Sequence, residues 1–259
     1  MISGCARLEI KSIEWLDGRV RWLNTLKIPW EEEYVETADY ERVAVAIETM
    51  EIRGAPAIGV AAAFGVALAA YHSNAETVED LRRDVEEAVE RLARTRPTAV
   101  NLFWALKRMR DLLSSDWPTA DELREAIVNE AIRIYEEDVR TNKAIGEVGK
   151  EVIEDGDTVL THCNTGALAT AGYGTALGVI RSAWREGKKI KVIATETRPV
   201  LQGARLTVWE LVKEGIPVTL ITDNMVGYVM SKGLANKVIL HADSIILMGQ
   251  VVNKLGKMG

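Results

Sequence analysis

The chain has 259 residues, 47% of them hydrophobic and 27% charged, and a net charge of −6. That mixture belongs to a soluble globular protein of one large domain or two ordinary ones. It argues against binding nucleic acid by phosphate neutralisation, which needs a Lys/Arg-rich face.

The segment IEWLDGRVRWLN alternates around Asp17-Gly18 and predicts a β-hairpin over 13–23 with a type I′ turn. EEYVET adds a third strand. The period then becomes helical: YERVAVAIETM, AIGVAAAFGVALAAYHS, TVEDLRRDVEEAVERLART and AVNLFWALKRMRDLL carry apolar residues at three- and four-residue spacing. The apolar run at 55–71 falls short of the ~20 residues of a membrane span and is rich in Ala and Gly, so it predicts a packed core helix. No membrane partner is expected. TADE at 119–122 reads as a capping box, with Thr119 as N-cap and Glu122 three residues on, opening a helix that lasts to about Glu154.

From there DTVLTHC, KIKVIATE, PVTLITD and KVILHADSIIL are β-rich runs separated by helix-like segments. The fold class is therefore α/β. Residues 1–120 are expected to form a helical domain with an N-terminal β-hairpin, and residues 121–259 a Rossmann-like, mainly parallel α/β domain. In such a sheet ligands bind at the carboxyl ends of strands. Cys163-Asn164-Thr165-Gly166, Glu196-Thr197-Arg198-Pro199, Asp223-Asn224 and Asp243 all fall there.

Cys5 and Cys163 lie too far apart for metal-ligand spacing or a disulfide framework and fit a reducing compartment, so a cytoplasmic location is expected. The N-terminus lacks a charged-then-apolar signal pattern. Cys163 reads as either a small buried hydrophobe or a reactive thiol. The Asn-Thr-Gly that follows suggests a loop with free backbone N–H groups running into a helix N-terminus, a place that lowers a thiol pKa and attracts anions. Asp243 reads as a helix cap or as a proton donor raised by an apolar surround. RGAPAIG at 53–59 suits a phosphate cradle or an ordinary interhelical turn. TRPTAVN at 95–101 sets Arg96 before a proline that starts a helix. The sequence carries no Walker A loop, no GxGxxG after a strand and no clustered histidines, so metal-free, cofactor-free chemistry on a phosphorylated small molecule is expected.

Taken together, RGAPAIG, TRPTAVNL, THCNTGALAT, GYGTALGVI, ETRPVLQGARLT, TLITDNM and the final NKLG resemble the methylthioribose-1-phosphate isomerase family, in the superfamily of the initiation factor 2B regulatory subunits. The resemblance runs from the hairpin nearly to the last residue. It implies conversion of 5-methylthioribose 1-phosphate to its ribulose isomer in methionine salvage, without a cofactor or metal. It implies Cys163 and Asp243 as the catalytic pair, and substrate contacts at Arg53, Gly54, Ala55, Arg96, Gln202, Asn253 and Lys254. A homodimer is also implied. The same resemblance leaves two other readings, a non-catalytic initiation factor 2B-like subunit and a ribose-1,5-bisphosphate isomerase, the latter disfavoured by TRPTAVNL.

The tail HADSIILMGQVVNKLGKMG departs from the family pattern: Ser244 stands for an Arg, Met248 for an Asn and Gln250 for an Asp. The chain thus reads as a C-terminally truncated or diverged form. Its α/β sheet is expected to be incomplete, with a terminal strand over 238–247 at or near an edge.

Overall fold

A computed structural model describes residues 10–242 and 244–252. At the first turn, Asp17 and Gly18 both take positive φ, 45° and 83°. Leu16 and Arg19 exchange both backbone hydrogen bonds, at 2.7 and 3.2 Å. This is the type I′ geometry that Asp-Gly favours, because its twist matches that of the flanking strands. It joins β1 (Ile13–Trp15) to β2 (Val20–Leu23), and β3 (Tyr34–Thr37) completes an antiparallel sheet in the order β1-β2-β3.

Helices α1 (Tyr40–Glu48), α2 (Ala55–His72), α3 (Val78–Ala93), α4 (Val100–Leu113) and α5 (Ala120–Gly149) follow. The starts of α1, α3 and α5 are set by side-chain caps that satisfy orphan N–H groups. Asp39 accepts from Glu41 N, Thr77 from Asp80 N and Thr119 from Glu122 N. Helix α2 is apolar all round, so no single face can point to water. It is buried from Ala57 to Leu68 and packs against α1, α3 and α4. Small residues permit that approach: a Cβ on Gly59 would lie 2.9 Å from the Asn101 carbonyl of α4. Trp22, Val43, Phe64, Leu81, Leu102 and Leu123 fill the same core without exposure. Each large side chain buried in this way contributes about 1.5–3 kcal/mol.

The alternating half contains β4 (Thr158–Thr161), α6 (Ala176–Glu186), β5 (Lys191–Thr195), α7 (Val208–Lys213), β6 (Val218–Ile221), α8 (Val226–Ser231) and β7 (Lys237–Val238). The strands are all parallel, in the order β6-β5-β4-β7. Val159, Leu177, Ile180, Val192 and Leu211 make its core. Helix α6 stops at Gly187, whose φ of 102° needs no Cβ, while Lys188 N bonds back to Ala183 O at 3.2 Å.

The run from 237 to 247, read from sequence as one strand, is divided. Only Lys237 and Val238 pair with β4, on the sheet edge. The Thr161 hydroxyl takes the Ile239 carbonyl at 3.0 Å, where a longer strand would continue the ladder. Further on, β8 (Ser244–Ile245) and β9 (Val251–Val252) form a separate antiparallel pair.

The described chain divides into two compact units, one holding Ile10–Thr141 with Leu168–Gly172, the other Asn142–Ala167 with the chain from Tyr173 onward. Helix α5 supplies residues to both.

Candidate active site

In the α/β unit, strand order reverses at β4, whose neighbours are β5 and β7. The carboxyl end of such a strand is where open parallel sheets bind ligands. Cys163 leaves β4 at that point. It is buried, it is a free thiol, and its φ is +64°. A non-glycine residue held there costs roughly 1–2 kcal/mol and persists only where its surroundings over-determine it. They do so here. The Cys163 N–H donates to Thr197 Oγ1 at 2.8 Å, and its carbonyl accepts from the Thr207 hydroxyl at 2.6 Å. The backbone of Cys163 is fully committed.

Thr197 follows β5 and is itself left-handed, with φ 62°. Asp223, after β6, fixes it: its two carboxylate oxygens accept from the N–H groups of Thr197 and Arg198, both at 2.8 Å. Burial pushes the Asp223 carboxyl up, but those two N–H groups outweigh it and hold the pKa below the ordinary aspartate value. His162 Nδ1 lies 2.5 Å from Thr195 Oγ1, which is 3.3 Å from Thr197 Oγ1. Three successive strand ends are therefore joined through Cys163, Thr197 and Asp223. Gln202 is buried at the start of a π turn, Gly203–Thr207, that runs into α7. That turn lies directly on β5, since a Cβ on Gly203 would meet the Thr195 carbonyl at 1.8 Å.

The loop after Cys163 differs from its sequence reading. It does not run straight into a helix: a 3₁₀ turn at Ala167–Ala169 comes first, and α6 begins only at Ala176. Two of its N–H groups are already committed, Cys163 N to Thr197 and Ala167 N to Glu210 Oε2 at 2.8 Å. The Thr165 carbonyl accepts from Thr175 N at 2.9 Å and Leu177 N at 3.4 Å. The loop folds back and caps α6 with its own carbonyl.

Beneath the loop lies a fully buried Glu210. Burial raises its pKa, while Arg181 and the Asn164 amide favour its ionised form. Arg181 bridges it at 3.2 Å and holds Glu214 through Nε at 2.6 and 2.7 Å. Neither Thr207 nor Glu210 was picked out from the sequence. The available signal was a carboxylate between Trp209 and Leu211 on a short apolar helix, and an arginine inside the equally apolar α6.

The phosphate-holding candidates belong to the helical unit. Arg53 and Gly54 lie in the turn between α1 and α2, with Gly54 as N-cap at φ 101° and Ala55 as the first helical residue. Leu168–Gly172 packs on that turn so closely that a Cβ on Gly54 would sit 2.4 Å from the Ala169 carbonyl. Only glycine fits there. Arg96 is half-buried before α4, which starts at Val100 rather than at Pro97, because Arg96–Ala99 forms a turn closed by Ala99 N to Arg96 O at 2.9 Å. A cleft of about 410 Å³ in the same unit is lined by Pro56, Val60, Val100, Trp104 and Asp138, among others, and includes neither arginine. Asp243, Asn253 and Lys254 lie outside the described residues.

Residues 51–259 match the model of the initiation factor 2 subunit family. A curated methylthioribose-1-phosphate isomerase of Geobacter sulfurreducens is 55% identical over 96% of this chain and 72% of its own length. Among solved structures, 5-methylthioribose 1-phosphate isomerase from Pyrococcus horikoshii superposes with a TM-score of 0.90 at 44% identity, over 95% of this chain and 69% of that one. The structure titled translation initiation factor eIF-2B, subunit delta, from A. fulgidus gives 0.86 at 48%, over 95% and 72%. The chain belongs to the initiation factor 2 subunit family and, within it, to the methylthioribose-1-phosphate isomerases.

Proposed function

We propose that this chain isomerises 5-methylthioribose 1-phosphate to 5-methylthioribulose 1-phosphate, with Cys163 and Asp243 at the reacting carbons. Arg53, Gly54, Ala55, Arg96, Gln202, Asn253 and Lys254 are assigned to substrate binding. The observation that supports the reading best is Cys163 itself: a left-handed cysteine whose backbone N–H and carbonyl are both anchored, at the reversal of strand order.

The chemistry follows from the substrate. Phosphate on O1 blocks the free aldehyde, so the ring opens only when its oxygen takes a proton from an acid, the role assigned to Asp243. Breaking the C1–ring oxygen bond leaves C1 electron-poor. Hydrogen then moves from C2 to C1 by one of two routes. In the first, a hydride passes directly while the C2 hydroxyl gives its proton to a base. In the second, Cys163 removes the C2 proton, an enol forms, and C1 is reprotonated as the C2 hydroxyl becomes the ketone. Either route conserves every atom of the substrate, and both need water excluded. Bidentate contacts from the guanidiniums of Arg53 and Arg96 suit the phosphate.

A coupled assay on methylthioribose 1-phosphate, with ribose 1,5-bisphosphate as control, tests the proposal. Turnover of the first and not the second is expected, and a reversed preference would defeat it. The 48% identical structure bearing the initiation factor name supports a second reading, a non-catalytic subunit. A folded chain that turns over neither sugar would favour that reading. The homodimer and the cytoplasmic location belong to the same proposal, and sedimentation of a well-behaved monomer at micromolar concentration would remove the dimer.

A further inference from the structure

Cys163 holds a backbone conformation that its own residue type disfavours, so something nearby must impose it. Thr197 holds its N–H, and the remaining restraints come from one short segment. Thr207 and Glu210 are three residues apart where the π turn passes into α7, and so present neighbouring side chains. Thr207 donates to the Cys163 carbonyl at 2.6 Å. Glu210 Oε1 accepts from the Asn164 side chain at 2.8 Å, and Oε2 from the Ala167 N–H at 2.8 Å and from Arg181 at 3.2 Å. The carboxylate is wrapped by residues 164–167 so tightly that a Cβ on Gly166 would fall 2.2 Å from one oxygen and 2.4 Å from the other. Every residue of this arrangement is buried.

A carboxylate with no exposure is a costly way to fill a core, since apolar residues of similar volume do so at less expense of desolvation. Its use here is directional. A hydrogen-bonded charge fixes the loop at defined points, where apolar packing would leave it free to slide. We propose that Thr207 and Glu210 act as a clamp that positions Cys163 for the isomerisation: Thr207 through the Cys163 carbonyl, Glu210 through Asn164 and Ala167. The inference rests on the reading that Cys163 works on the substrate. Neither residue is assigned contact with it.

Glu210→Gln keeps the volume but places an amide N–H₂ against either Ala167 N–H and Arg181 or the Asn164 side-chain amide, so one donor meets another. Thr207→Val keeps the shape and removes the short bond to the Cys163 carbonyl together with a long one, 3.4 Å, from the Asn164 amide. Both variants should lower kcat about 10-fold or more with KM nearly unchanged, since a displacement of ~1 Å at a reacting group can cost 100-fold. In a Cys5→Ser background, iodoacetamide should alkylate Cys163 faster in both, because the loop that buries it is loosened. Glu210→Asp, which retains the charge but shortens its reach, should recover part of kcat relative to Glu210→Ala. Folded variants with kcat and alkylation rate within twofold of the parent would overturn the clamp. If Glu210→Gln does not fold, Thr207→Val decides alone by the same two readouts. Cys163→Ser, run alongside, separates the two ideas. Full activity in that variant defeats the catalytic reading, whereas its loss beside unaffected clamp variants defeats only the clamp.

Discussion

The core around α2 and the loops around Cys163 are both buried, yet they are held by opposite means. In the helical unit, α2 presents Ala, Val, Gly, Leu and Phe on every side, and its neighbours close on it through small residues and dispersion. In the α/β unit, the chain after β4 and β5 is held by Thr197, Thr207, Glu210 and Asp223, whose polar atoms each meet a named backbone or amide group. Apolar packing tolerates small shifts, because each contact is weak and undirected. Hydrogen bonds to left-handed residues do not, because losing one leaves a buried group unpaired. The first arrangement supplies stability, the second supplies position.

Substitutions can break that contrast in order of expected effect. Cys163→Ser should reduce kcat by about 100-fold or more, within the range for loss of a group that moves a proton, while the melting temperature stays near the parent. An unchanged kcat would return Cys163 to the role of a small buried hydrophobe. In the other unit, Phe64→Ala should cost about 3–5 kcal/mol of stability, since Phe64 is fully buried among α2 neighbours and the tyrosine ring of Tyr135 lies 5.8 Å away. Urea denaturation measures this, and a loss under 1 kcal/mol would mean that the core collapses around the gap.

Asp223→Asn sharpens the polar side of the comparison. Its folded pKa lies below the ordinary value, so the stability it contributes is fully present above a pH of about 4 and is lost as pH falls through the lower folded value. Parent and variant should therefore differ by roughly 1–2 kcal/mol at neutral pH, a figure reduced for partial exposure, and converge in acid. A gap that persists or widens at low pH would refute the N–H clasp. The smallest effect belongs to Thr119→Ala, which removes the hydroxyl capping Glu122 N at 3.2 Å and should cost about 1 kcal/mol. No measurable change there would mean that α5 is anchored by packing alone.

Much of this molecule was legible before its fold was known. Asp17-Gly18 named its own turn, because both residues tolerate positive φ. The helical period located α1 to α5, and the change to short β-rich runs located a parallel sheet with Cys163 and Asp223 at its strand ends. The reading failed where local chemistry permits more than one outcome. TRPTAVN suited a helix from Pro97, but the turn closed by Arg96 delays it to Val100. KVILHADSIIL suited one strand, but only its first residues find a partner in β4. Asn-Thr-Gly after Cys163 suited a loop running straight into a helix N-terminus, but a 3₁₀ turn intervenes and the Ala167 N–H goes to Glu210.

By itself the sequence determined the hairpin, the five helices of the first half and the parallel strands β4 to β6, since periodicity depends on neighbours a few residues apart. It also carried enough of the motif pattern to identify the family. Only the tertiary structure decided that Cys163 is left-handed and which groups hold it so. Its partners Thr197 and Thr207 stand 34 and 44 residues away, and Glu210 reaches Ala167 across 43. No local pattern reports such pairings, because they exist only once the crossover helices have brought the strand ends to one edge of the sheet.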